Sequence, residues 1–121
     1  MMVTSLVAAI AAVALVALSL AVSLRRMKVG TEIGVGDDPV LLHRIRAQGN
    51  FIEYVPLALI VLALAEYRNA SPTILWTIAG LLGAGRLLHA VGILGGSTPA
   101  RATGMIATYA ALLVGAWTLA S

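Results

Sequence analysis

Four long apolar runs constrain this chain more than any other feature. The first, Val3 to Leu24, is broken only by scattered Ser and Thr hydroxyls. About 22 residues at 1.5 Å each are long enough to cross a bilayer. No Lys or Arg precedes this run, and it is longer than the apolar part of a secretion signal, so a cleaved leader is not expected. Three further runs give expected spans at about 3–24, 39–67, 72–94 and 99–120, within a single domain covering 1–121. The chain is 60% hydrophobic and only 11% charged. A soluble domain of 121 residues could not bury that much apolar surface, so the bilayer is the solvent to assume.

Punctuation between the runs is consistent. Arg25, Arg26 and Lys28 form a basic stop, followed by a loop with Gly30, Gly34 and Gly36. Asp38-Pro39 and Ser71-Pro72 each read as an N-cap followed by proline at the first helical position. Gly95 to Pro99 breaks the chain again. Gly80, Gly83 and Gly85 are expected to thin the third span for close packing. An up-down, all-α bundle follows. The first and third loops hold most of the Lys and Arg, which places them in the cytoplasm and both termini outside, with the inner membrane as the expected site.

Several functions are excluded. The net charge is only +3, with no basic cluster among aromatics, so nucleic acid is not an expected partner. There is no cysteine, hence no disulfide framework and no thiol nucleophile of its own. His43 and His89 stand apart with no carboxylate cluster beside them, so no metal site is expected.

Polar groups inside the apolar runs carry the functional signal. At 100° per residue, Arg46, Asn50 and Glu53 fall on one stripe roughly 60° wide. Arg86 and His89 share a face of the third span, and Arg101 lies in the first turn of the fourth. A charge at the bilayer centre costs about 2.5–3.5 kcal/mol on insertion scales, so each should face a partner or a cavity. A simple ion pair between Glu53 and Arg86 is one expectation. It leaves Arg26, Arg46, Arg101, Asn50 and His89 unexplained, and that surplus of positive charge calls for an anionic ligand. Glu66, near the opposite face, is expected to be solvated.

The run Arg46-Ala47-Gln48-Gly49-Asn50-Phe51-Ile52-Glu53-Tyr54-Val55-Pro56 resembles the signature of the MAPEG family, the membrane-associated proteins of eicosanoid and glutathione metabolism. Arg86-Leu87-Leu88-His89, with Arg101 beyond, is similar to the third-helix region of the prostaglandin E synthase branch. The resemblance implies a homotrimer of four-helix protomers that binds glutathione between subunits near the cytoplasmic face. It implies that Arg46, Asn50 and Glu53 hold the tripeptide, with Glu53 taking the γ-glutamyl amine. Arg26 and Gln48 would hold other polar parts, Tyr54 and His89 would line the site, and Arg101 would hold the thiol as the catalytic residue. Arg86 would be an ion-pair partner or a site-lining group. The implied activity is a glutathione transferase or peroxidase, with glutathione as co-substrate and a small hydrophobic electrophile reaching the site from the lipid bilayer. Two departures stand out: His43 replaces a family arginine, and Ile93 stands where the family has tyrosine. A non-catalytic scaffold or sensor of the same fold is the alternative. A small multidrug transporter fits less well, because the first span carries no acid.

Overall fold

A computed structural model describes all residues from Met1 to Ser121. The chain forms four helices and no strand: α1 (Met2–Val29), α2 (Pro39–Tyr67), α3 (Pro72–Gly95) and α4 (Thr98–Ala120). Each is long and apolar enough to cross a membrane, and the protein is an integral membrane protein.

The helix ends follow local chemistry. The Asp38 carboxylate accepts the Leu41 amide at 2.8 Å, and Ser71 and Ser97 cap α3 and α4 through their hydroxyls. Each cap precedes a proline in the first turn, where a missing N–H costs nothing. α1 runs past Leu24 and through its basic residues, because Arg and Lys are good helix formers. It stops at Gly30, the first residue that adopts the left-handed conformation (φ 74°) without strain. α2 continues through Pro56, which removes only the donor to the Ile52 carbonyl.

Arg25 grips Asp38 with two hydrogen bonds, at 2.7 and 2.8 Å, and ties the end of α1 to the start of α2. Stabilised by that guanidinium first, and also by the Leu41 amide, the Asp38 carboxyl is pulled down to about 2.

α2, α3 and α4 pack mutually, while α1 lies along α2, touches α3 lightly and does not meet α4. The apolar core, including Leu62, Leu75, Ile78, Leu82 and Ala111, sits toward the end where the α2–α3 turn and both termini gather. Glu66 belongs to this closed end and is not simply solvated. Its carboxylate accepts the Val3 amide (2.9 Å), the Thr4 amide (2.7 Å) and the Thr4 hydroxyl (2.6 Å). It thus caps α1, whose first residues offer no side-chain cap of their own. Arg68 closes the same end by donating to the Leu119 carbonyl of α4.

The tightest seam joins α3 to α4. A Cβ built on Gly85 would lie 2.8 Å from the Gly104 carbonyl oxygen, and one on Gly92 would strike the Arg101 backbone. Gly80 and Gly83, expected from sequence to make such contacts, face open space. The glycines that make the α3–α4 contact are Gly85 and Gly92 on α3 and Gly104 on α4, while Gly115 meets Val61 of α2.

Candidate functional site

At the end opposite the core, α2 and α4 part over α3 and leave a cleft of about 730 Å³. The α2 wall carries Arg46, Gly49, Asn50, Glu53 and Tyr54, which is the stripe expected from spacing. The floor is His89 and Ile93 of α3, and the opposite wall is Arg101, Met105 and Tyr109 of α4. Val35 of the α1–α2 loop reaches the rim. A recess of about 360 Å³ continues from the cleft between Arg46, Arg101 and the first residues of α4, with His43, Ser97 and Thr98 around it.

The glycine seam explains how α3 and α4 present a joint surface. Gly104 lies against the His89 backbone and Gly92 against that of Arg101. The imidazole and the guanidinium are therefore held on two helices whose backbones touch. His89 itself is buried, at 4% exposure.

The charges around the cleft are unpaired. The two ion pairs in the protein are Arg25 with Asp38 and the N-terminus with Glu66, both elsewhere. Arg46, Arg101 and Glu53 thus face the cleft with no charged protein partner. Tyr54 and Tyr109 close its deeper part from opposite walls, hydroxyl to hydroxyl at 3.5 Å, with their rings edge to face.

Arg86 departs from expectation. It does not pair with Glu53. Its Nη1 donates to Asn50 Oδ1 at 2.5 Å and its Nη2 to Met105 Sδ at 3.4 Å, while its guanidinium lies 5.9 Å from the centre of the Tyr54 ring. It stands behind the cleft and orients Asn50, whose side-chain amide nitrogen is left free to donate.

Two expected site residues do not reach this cleft. Arg26 donates to the Gly34 carbonyl (2.7 Å) and the Thr31 carbonyl (3.4 Å), holding the α1–α2 loop. Gln48 donates to Ser19 Oγ at 2.9 Å, in the α1–α2 seam. Both lie on the α1 side of α2. Met105 and Tyr109 are cleft residues that the site reading missed. With Arg101 they recur every four residues, so helical periodicity along α4 would have placed them on one face.

A family model described as MAPEG family matches residues 4–121. The chain belongs to the MAPEG family. It is similar to inner membrane protein YecN of Escherichia coli K12, at 34% identity over 113 residues, which cover 93% of this chain and 86% of that protein. YecN from E. coli O6:H1 strain CFT073 matches with the same figures. Membership makes this a membrane protein of the glutathione and eicosanoid family. The matched residues include the whole α2 wall of the cleft, which ends at Tyr54.

Proposed function

We propose that the cleft binds glutathione and that the protein is a membrane-bound glutathione transferase or peroxidase acting on hydrophobic electrophiles. The observation that carries this reading is the pattern of unpaired charge: two arginines and one acid around a single cleft. Glutathione brings two carboxylates and one ammonium. Arg46 suits a carboxylate, for which guanidinium offers paired hydrogen bonds, and Arg101 on the opposite wall is left for the thiol. Glu53 suits the ammonium. Asn50, fixed by Arg86, suits the peptide part, and Tyr54 and His89 line the site.

The chemistry falls to the tripeptide's own sulfur. A free thiol titrates near 8.5, so little of it is thiolate at neutral pH. A guanidinium near the sulfur favours the ionised form and has no proton of its own to lose in this range. Arg101 is assigned that role. The thiolate then attacks an electrophilic carbon delivered from the lipid and displaces its leaving group, or attacks the terminal oxygen of a hydroperoxide, releasing an alcohol and a sulfenic acid that a second glutathione converts to the disulfide and water.

Arg26 and Gln48 point to the assembly. They stand on the α1 side of the protomer, so they would reach a glutathione only in the cleft of a neighbouring copy. A homotrimer in the inner membrane, with the α1–α2 and α3–α4 loops in the cytoplasm, meets that need. The positive charge of those loops and the inner-membrane location of YecN support the placement.

The test is titration of the purified protein with glutathione, followed by assay with a chlorinated nitrobenzene. Binding in the millimolar range or tighter, with thiolate absorbance, is expected. Arg101→Ala should cut turnover more than affinity. Absence of glutathione binding would refute the reading and leave a non-catalytic membrane scaffold.

A further inference from the structure

A groove of about 520 Å³ runs between the later turns of α1 and the end of α3, over the first turns of α2. It exists because α1 lies along α2 and touches α3 lightly. Its α1 wall includes Ala17, Leu20 and Leu24, spaced three and four apart and so on one helix face, with Leu94 of α3 also in the lining. Leu20 and Leu24 are 54% and 60% exposed, so the groove opens sideways. Ala17 also lines a further cavity of about 450 Å³ between α1 and α3. From Leu24 back to Val7 the two cavities follow α1 for about 25 Å, more than the roughly 15 Å of one leaflet's hydrocarbon.

Two lining residues of the groove are polar, His43 and Arg44 in the second turn of α2. Arg44 Nη1 donates to the Ala21 carbonyl of α1 at 2.9 Å. That contact sets the guanidinium level with Ala21, one helical turn inside Arg25. A guanidinium has five N–H donors, and the carbonyl takes one of them. The Asp38 carboxylate is committed to Arg25 through both oxygens, and neither Arg44 nor His43 has a carboxylate partner. With Arg25 and Asp38 cancelling, Arg26, Lys28 and Arg44 outnumber Glu32 and Asp37 at this end of the molecule. The groove thus joins an apolar track to an uncompensated cation, at the depth where headgroups meet hydrocarbon.

We infer that this groove seats an anionic phospholipid, its phosphate on Arg44 and His43 and one acyl chain along α1 from Leu24 toward Ala17. Two phosphate oxygens match the paired donors of a guanidinium. The excess of positive charge favours a headgroup without an ammonium. The open side leaves the second acyl chain in the bilayer, so a two-chain lipid fits. The lipid fills the gap between α1 and α3 that no side chain closes. Its binding is independent of glutathione.

The test is equilibrium binding to the delipidated, full-length protein in a neutral detergent. The probes are phosphatidylglycerol, phosphatidylcholine and a free fatty acid, each with the same tail label. Phosphatidylglycerol should bind about fivefold to tenfold more tightly than phosphatidylcholine and raise the thermal midpoint of the wild-type protein further. Arg44→Gln should erase the preference, and Arg44→Lys should keep part of it. Lys28→Gln, at an exposed position outside the groove, should leave it within about twofold. Ala17→Trp, which fills the groove, should weaken both phospholipids at least fivefold. Equal binding of the two phospholipids by the wild-type protein would overturn the proposal in favour of a passive apolar groove. Equal effects of Lys28→Gln and Arg44→Gln would overturn it in favour of diffuse surface charge. A fatty acid that binds as tightly as phosphatidylglycerol would replace the phosphate with a carboxylate. A change in oligomer size on Ala17→Trp would overturn it in favour of a helix interface between copies.

Discussion

Gly104→Ala probes whether the α3–α4 seam positions the site. A methyl group at 104 would lie 2.6 Å from the Gly85 carbonyl oxygen and 2.8 Å from His89 Cα, and would collide with the His89 nitrogen. All three are backbone atoms and cannot rotate aside. Ordinary contact begins at 3.4 Å, so α3 and α4 must separate. Overpacking of this kind costs about 1–3 kcal/mol, while alanine's helix preference over glycine returns up to about 1 kcal/mol. Gly80→Ala makes the control. It meets nothing within 4 Å, so only the favourable term applies. Gly104→Ala should therefore be less stable than Gly80→Ala by about 1–3 kcal/mol. The assay is denaturant unfolding of the detergent-solubilised protein followed by circular dichroism. Glutathione affinity should fall in Gly104→Ala alone, because His89 and Arg101 sit on the two parted helices. Equal stability and equal affinity in the two variants would refute the idea that this seam sets the geometry of the cleft.

Asp38→Asn keeps a good N-cap but loses the charge facing Arg25. Because the folded carboxyl is depressed to about 2, its stabilisation is full above its ordinary value near 3.8 and is lost as pH falls toward 2. The thermal midpoints of wild type and Asp38→Asn should therefore differ at pH 5 and converge near pH 2; a constant difference would refute the ion-pair account. Glu66→Ala should uncap α1 and speed amide exchange at Val3 and Thr4, with a lower thermal midpoint; unchanged protection would show that another group caps the helix. Glu53→Gln should weaken glutathione binding about tenfold, the loss of one charge-assisted hydrogen bond, while leaving a des-amino analogue unaffected. Equal loss for both ligands would remove the ammonium from Glu53.

Much of this molecule is legible along single helices. Apolar length marks the four helices, and Asp38-Pro39 and Ser71-Pro72 mark two of their starts. The Arg46, Asn50 and Glu53 stripe needs only the helical period, and it forms one wall of the cleft. What depends on the register between helices is not legible. Local spacing could not say that Arg86 would meet Asn50 rather than Glu53, or that Glu66 would reach back over 60 residues to cap α1. The same limit applies to the glycines. Gly80 and Gly83 look like contact residues beside Gly85, yet a glycine matters only where another backbone crosses it.

The cleft and the seam have a common cause. The apolar core clamps one end of α2, α3 and α4, and glycine contacts clamp α3 to α4 toward the other. α2 and α4 are the pair left free to diverge, and the cleft lies between them. That placement makes its unpaired charges tolerable. Arg101 lies in the first turn of α4 and Arg46 about two turns into α2, both on the open cleft; further along, Tyr54 and Tyr109 are neutral, Arg86 is hydrogen-bonded, and Glu53 faces the cleft. A charge at the hydrocarbon centre would cost about 2.5–3.5 kcal/mol on insertion scales, a cost that bears on Arg86 and on Glu53. Arg86 is accordingly held on several sides, by the Asn50 carbonyl, the Met105 sulfur and the Tyr54 ring, with Nε buried and without an acceptor.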